Sequence, residues 1–475
     1  MEGDRPTGGP AVSPVDVSPS ATFVAAKDPS ARGPLSVLLF AVVAAGLVPA
    51  SLVAATAGGP GGTQIGQLLA MMVAGLRFAW ILGSPARHIY ELMIWVFVYV
   101  FLGMAPFVQL RLGVEPETVV NIRLEYEPTA ALIVLTGCAA ILIGSHLARN
   151  HWPTPGAARR PDAGRAQVLA VVGLVLGAYY VSQLGVRNIA LPRLAMSELR
   201  REVWPEPAVA TLTYGFVTMS LFVAALALIK LRLEDQHEVS HIRILEWATL
   251  GMLFLIVNPV STPRYIFGSV ALAVLAVYGL YSTVRKFRIV AVATLIGMVV
   301  IFPAADAFRY SLDAGIILED PLQELTGPDY DGFAQIVNTV QYADLEGHTG
   351  GRQMLGALLY WVPRSVWPDK PQDTGEMLGE YKEYIFTNIS SPLWAEFFID
   401  FGWVGLMAGM LLVGYWARRL DIQAEAQLRE RRSPDLINCI LPFYSLIILR
   451  GSLLQSLAYI SVAFVLILFV QRRRT

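Results

Sequence analysis

"PAVATLTYGFVTMSLFVAALALI", Pro207 to Ile229, carries no charged side chain in 23 positions. A helix of that length rises about 34 Å, enough to cross a hydrocarbon core of ~30 Å. Backbone polar groups have no water to bond to in lipid, so such a run must be helical or part of a closed barrel. Its apolar residues are continuous and do not alternate, which excludes a barrel strand.

Eleven more runs of this kind lie outward from it: 34–57, 63–82, 88–109, 128–148, 165–186, 242–260, 262–282, 286–306, 392–416, 434–449 and 453–471. The run 63–82 also fits a re-entrant or interfacial segment. The chain is 55% hydrophobic and 15% charged, against roughly 25% charged in soluble domains. Its mean hydropathy is +0.53. The expected fold is all-α, a polytopic integral membrane protein of about 12 transmembrane helices. Residues 1–33, rich in Pro, Gly, Ala and Ser, read as a disordered cytoplasmic tail. They lack the basic-then-apolar signal-peptide pattern, so the first run reads as an uncleaved anchor. Net charge is −1, which argues against a nucleic-acid partner. Cys138 and Cys439 fall inside apolar runs and read as buried small hydrophobes, with no disulfide or metal cluster expected.

Lys and Arg assign the sides. With both termini inside, the inner segments and span ends hold 23 of the 36 basic residues and the outer ones 13. Arg159/Arg160, Arg285/Lys286/Arg288, Arg429/Arg431/Arg432 and Arg472–Arg474 form the inner clusters. The chain then divides into the tail 1–33, spans one to nine in 34–306, a large extracytoplasmic loop 307–391, and spans ten to twelve with a short tail in 392–475. The loop contains thirteen Asp and Glu but only five Lys and Arg. Helical stretches are expected near 329–343 and 353–362. Ordered loops this long are usually functional.

Inside the loop stands "YWVPRSVWPDKPQDTG", Tyr360 to Gly375. Pro363, Pro368 and Pro371 each lack an N–H and restrict the preceding residue, so the backbone is turned or extended. The stretch holds Arg364 and Lys370 on a stiff, aromatic-lined turn. Several familiar motifs are missing. There is no GxxxxGK[ST] phosphate loop, no GxSxG elbow and no zinc-type spacing. "GGPGGTQIG" at 58–66 follows a membrane run rather than a strand and reads as a flexible turn.

"GGRQMLGALLYWVPRSVWPDKP" is followed by "SPLWAEFFIDFGWVGLMAGMLLVGYWARR". A long outer loop with a "PR…WP.KP" turn, then a span opening "S…E…FG..G", resembles the oligosaccharide repeat-unit polymerases, the O-antigen polymerase (Wzy-type) family. "STPRYIFGS" at 261–269, an Arg opening a span on the outer side, is similar to another feature of that family. The close resemblance covers about residues 330–416. It implies a GT-C-like membrane glycosyltransferase of the bacterial plasma (inner) membrane. Such an enzyme transfers a growing glycan from undecaprenyl diphosphate onto a new lipid-linked repeat unit at the outer face. The implied partners are undecaprenyl-diphosphate-linked oligosaccharide, membrane lipids and a chain-length regulator protein. No nucleotide, flavin, metal or other cofactor is implied.

The chemistry of the residues agrees with this. Diphosphate leaves as the sugar–oxygen bond breaks, and cations placed where its charge grows lower the barrier. The planar Arg fork grips phosphate oxygens in pairs. Arg364 and Arg264 are therefore the first catalytic candidates, and Lys370 a substrate-binding one. Trp361 and Trp367 suit sugar faces, or mark membrane depth. Arg264 could equally snorkel to the interface. Arg193, Arg200 and Arg201 share the outer loop "RNIALPRLAMSELRREVWPEP", where an amphipathic helix touching headgroups or carrier phosphate would explain them. His348, in "EGHTGGR", is a candidate general base or a solvated loop residue, and Arg352 beside it a candidate substrate contact. Arg309 and Arg450 read as interface anchors. Glu396 and Asp400, four apart, share one helix face. They either face a polar cavity, Glu396 then being a catalytic candidate, or pair with an Arg. The rival functions are an O-antigen ligase-type transferase and a multi-span transporter or flippase. The two-halves transporter has its largest connection in the cytoplasm between spans six and seven, whereas here it follows span nine outside.

Overall fold

The computed structural model describes residues 34–60, 64–148, 160–234, 240–301, 321–385, 387, 389–430 and 434–472. The expected tail 1–33 and the segment 302–320, with Arg309, lie outside the described residues. The described chain is all-helical apart from a two-residue antiparallel pairing of Arg160–Pro161 with Gln471–Arg472.

Among the described residues, eight helices are long and apolar enough to cross a membrane. They are α1 (Val37–Ala55), α2 (Ile65–Gly83), α3 (Ile89–Leu112), α4 (Leu124–Ala148), α5 (Ala163–Leu184), α7 (Val209–Glu234), α14 (Leu393–Glu430) and α16 (Leu453–Val470). Between α5 and α7 stands α6 (Arg193–Val203), the helix expected in that arginine-rich loop. The other four expected spans are helical but shorter: α8 (Ser240–Ile256), α9 (Arg264–Val277), α10 (Val284–Ile296) and α15 (Leu436–Arg450). The 14 residues of α9 rise only about 21 Å, short of a ~30 Å core. The large loop holds α11 (Gly332–Leu345), α12 (Arg352–Leu358) and α13 (Thr374–Tyr381). The first two match the expected helical stretches, and α13 adds a third.

The core is built around α3, buried from Ile89 through Gln109. Leu38 and Leu47 on α1 and Val168 and Val175 on α5 are instead exposed, each by more than half. Apolar side chains turned outward along whole helices are what lipid, not water, accommodates. Small residues let α4 and α14 meet backbone to backbone. A Cβ on Gly144 would lie 2.0 Å from the Leu411 carbonyl oxygen, and one on Gly414 would lie 2.1 Å from that of Ile141. This is the close approach by which helices associate in membranes without a hydrophobic driving force.

Contacts sort the connections into two ends. At one, Arg87 donates to Glu425 (2.7 Å), Tyr90 N to Asp421 (2.8 Å) and Arg165 to the Phe469 carbonyl (3.0 Å). At the other, Gln109 donates to the Tyr330 carbonyl (3.1 Å), Asn258 to that of Ile189 (3.1 Å) and Leu453 N to Glu396 (3.1 Å). These are the two groups of segments separated by the Lys and Arg count. One boundary differs from expectation. The run ending at 416 continues as helix to Glu430. Its added turns bear charges, and Asp421 and Glu425 hold the α2–α3 connection through Arg87 and the Tyr90 and Glu91 amides.

Candidate functional site

At the end carrying the large loop, a cavity of about 230 Å³ opens between α3, α7, α9, α15 and α16. Phe97, Phe101, Leu272, Met298, Phe443 and Leu446 make its wall apolar. Arg193, Arg264, Arg450, Asp329, Asp331, Ser390 and Ser452 make its rim polar.

Each rim residue has a local reason for its place. Asn258 accepts from the amides of Val260 and Ser261 (3.0 and 2.9 Å), closing the turn before α9. Asx turns of this kind substitute a side chain for a backbone turn. Pro263 then precedes the helix, and Arg264 is its first residue. Arg450 is the last residue of α15, where a cation is favoured by the helix dipole. Arg193 begins α6. Asp329 and Asp331 precede α11. Asp329 is paired with Arg264 and, at 3.2 Å, with Arg450, which also donates to the Asp329 carbonyl (3.0 Å). Asp331 faces Arg450 at 3.4 Å and accepts from Ser390 N (3.2 Å). Burial pushes the Asp331 carboxyl upward, and Arg450 opposes that shift. Three arginines and two aspartates therefore surround one polar end of an otherwise apolar chamber.

Of the residues expected from sequence, Arg264 and Arg193 line this cavity. Arg200 stands just behind its wall, with its guanidinium 4.4 Å from the ring centre of Tyr214, a lining residue. The proline-braced turn is placed differently. Arg364 is exposed and donates to the Lys370 carbonyl (2.8 Å). Lys370 donates to the carbonyls of Tyr360 and Val362, and Arg352 to that of Asp369 (2.6 Å). Burial, then the nearby Arg364, lowers the Lys370 pKa. These cations close the turn on itself. Trp361 is exposed and Trp367 half-buried, and neither lines the cavity. Tyr360 bonds Ser461 on α16 (2.6 Å), tying the turn to the helices.

His348 is exposed and lies edge-on to Phe398 (5.3 Å between ring centres) above Gly402. Glu396 and Asp400 share a face of α14 and are buried, but neither pairs with an arginine among the contacts described. Glu396 accepts from Leu453 N (3.1 Å) and the Thr374 hydroxyl (2.7 Å). Asp400 accepts from the amides of Gln353 and Met354 (3.1 and 2.7 Å) and from Thr349. They fasten the starts of α16, α13 and α12.

Sequence reasoning missed four polar residues at this end. Asp329 and Asp331 were hidden among thirteen loop acids, although that acidity itself signalled partners for outer arginines. Asp373 caps α13, accepting from Gly375 N (3.0 Å), and the spacing "DTGE" carried that signal. Burial pushes its carboxyl up to about 6, and Ser452 beside it opposes the shift. Ser452 lines the cavity. No family model, no curated protein and no solved structure matches the chain.

Proposed function

We propose that this protein is a polysaccharide polymerase of the O-antigen polymerase type. It transfers a growing glycan from an undecaprenyl-diphosphate carrier to a new lipid-linked repeat unit at the outer face of a bacterial plasma membrane. In this proposal the chain crosses the membrane twelve times, with both termini cytoplasmic and a GT-C-like arrangement of helices. The observation that carries the proposal is the cavity, where three arginines meet an apolar wall. A lipid diphosphate has the same two-part character, an anionic head joined to a hydrocarbon chain.

Asp329 pairs with both Arg264 and Arg450 and holds them in place. An arriving diphosphate, with more charge and more acceptor oxygens, takes over those arginines. At an effective dielectric near 20, a unit charge pair at 4 Å is worth roughly 4 kcal/mol. Such contacts strengthen as the leaving oxygen gains charge, which is the requirement for catalysis rather than mere binding.

The test is complementation of a strain lacking the gene. Arg264→Ala should abolish the polymer ladder while single repeat units still reach the surface on their carrier. The loss of one such contact should cost about 10²–10³-fold in rate. Long polymer made by Arg264→Ala at normal protein level would overturn the proposal. Single units that no longer reach the surface in Arg264→Ala would instead favour a flippase.

A further inference from the structure

Proton transfer is the part of this reaction that the arginines leave open, and the following rests on the transferase proposed above. The acceptor hydroxyl must lose its proton as it attacks. Four carboxylates stand in or behind the cavity's polar end. Asp329 and Asp331 are held by Arg264 and Arg450, and a tightly paired carboxylate is a poor base. Glu396 has both oxygens bonded, one to Leu453 N and one to the Thr374 hydroxyl.

Asp373 differs. One oxygen caps α13 through Gly375 N, and the other is buried with no hydrogen-bond partner among the described residues. The residue is only 5% exposed. An orphaned oxygen at such a site is costly and calls for an explanation. Beside it stands Ser452, itself at an unusual position. Ser452 is the residue before α16, where serine ordinarily caps its own helix, yet its hydroxyl makes no cap bond and has no partner in bonding geometry. Glu396 takes the Leu453 amide instead. The Ser452 hydroxyl is thus left between the cavity, which it lines, and Asp373.

We infer that Asp373 is the proton acceptor of the transfer step and that Ser452 relays the proton from the cavity. The acceptor oxygen forms a bond to the anomeric carbon as the bond from that carbon to the diphosphate oxygen breaks. The breaking bond's electron pair leaves on the diphosphate, facing Arg264 and Arg193. The acceptor's proton passes to the Ser452 oxygen as the Ser452 proton passes to Asp373. Asp373 then releases that proton to solvent before the next cycle. Two acids face Asp373, Glu376 from α13 and Glu396 from α14.

The experiment uses purified full-length protein in lipid vesicles with synthetic lipid-diphosphate-linked repeat units. The wild-type rate should fall with decreasing pH through a limb near 6, where the Asp373 carboxylate becomes protonated. Asp373→Asn keeps the cap, because Asn caps as well as Asp. It should bind donor normally and lose about 10²–10⁴-fold in rate, the usual worth of a general base. Asp373→Glu should recover part of it. Ser452→Ala removes a hydroxyl that caps no helix, so it carries the test if Asp373→Asn fails to fold, and it should lose both the rate and the pH limb. Near-normal rates and an unchanged limb in either folded variant would overturn the relay while leaving the transferase proposal intact. No product from wild-type protein would remove both.

Discussion

Arg264 and Arg364 show how much one residue's role depends on neighbours the sequence does not display. Both were legible as outer-side arginines beside a proline. Arg264 opens a helix at the cavity rim. Arg364 spends its bond on the Lys370 carbonyl six residues away. Arg264→Ala should therefore abolish polymer, whereas Arg364→Ala should loosen the turn and lower polymer less. Hydrogen exchange across 360–371 would rise in Arg364→Ala and stay unchanged in Arg264→Ala. Equal loss of polymer in both, with no change in exchange, would place Arg364 at the substrate instead. The acids were harder to read. Spacing put Glu396 and Asp400 on one face, but their partners are backbone amides that come close only after folding.

Helices were legible wherever apolar residues run unbroken, because length and hydropathy are local properties. They were not legible where burial comes from ion pairing. The final turns of α14 carry charges that meet Arg87 and the start of α3, and by hydropathy they read as a loop. The same helix breaks at Gly402, with φ 61° and ψ −145°, a region essentially restricted to glycine. A Cβ there would lie 2.9 Å from the His348 Nε2. Gly402→Ala should destabilise the protein by roughly 1–3 kcal/mol from backbone strain alone, read as a lower Tm in detergent. An unchanged Tm would mean that the break is not required by the fold. His348 thus serves as packing over the break.

At the scale of the molecule, the count of basic residues and the contacts agree on two groups of connections, one at each end of the helices. Composition carried that information because charge asymmetry is written along the whole chain. The cavity was not readable in the same way, since helices and connections far apart in the chain assemble it. The same count predicts an orientation that can be tested. Ser365 and Gln423 are exposed at opposite ends, while Cys138 and Cys439 are buried. Ser365→Cys should react with an impermeant thiol reagent in intact spheroplasts, and Gln423→Cys only after lysis. The reverse pattern would put the cavity on the cytoplasmic side and remove the proposed reaction from it.

The most direct measurement is a cryo-electron microscopy map of the protein in lipid nanodiscs with a non-hydrolysable polyprenyl-diphosphate analogue. The diphosphate density should lie among Arg193, Arg264 and Arg450, with Asp329 released from Arg264 and the chain along Phe443 and Leu446. Diphosphate seated on the turn at Arg352, Arg364 and Lys370, with the Arg264–Asp329 pair intact, would contradict the cavity as the site of transfer.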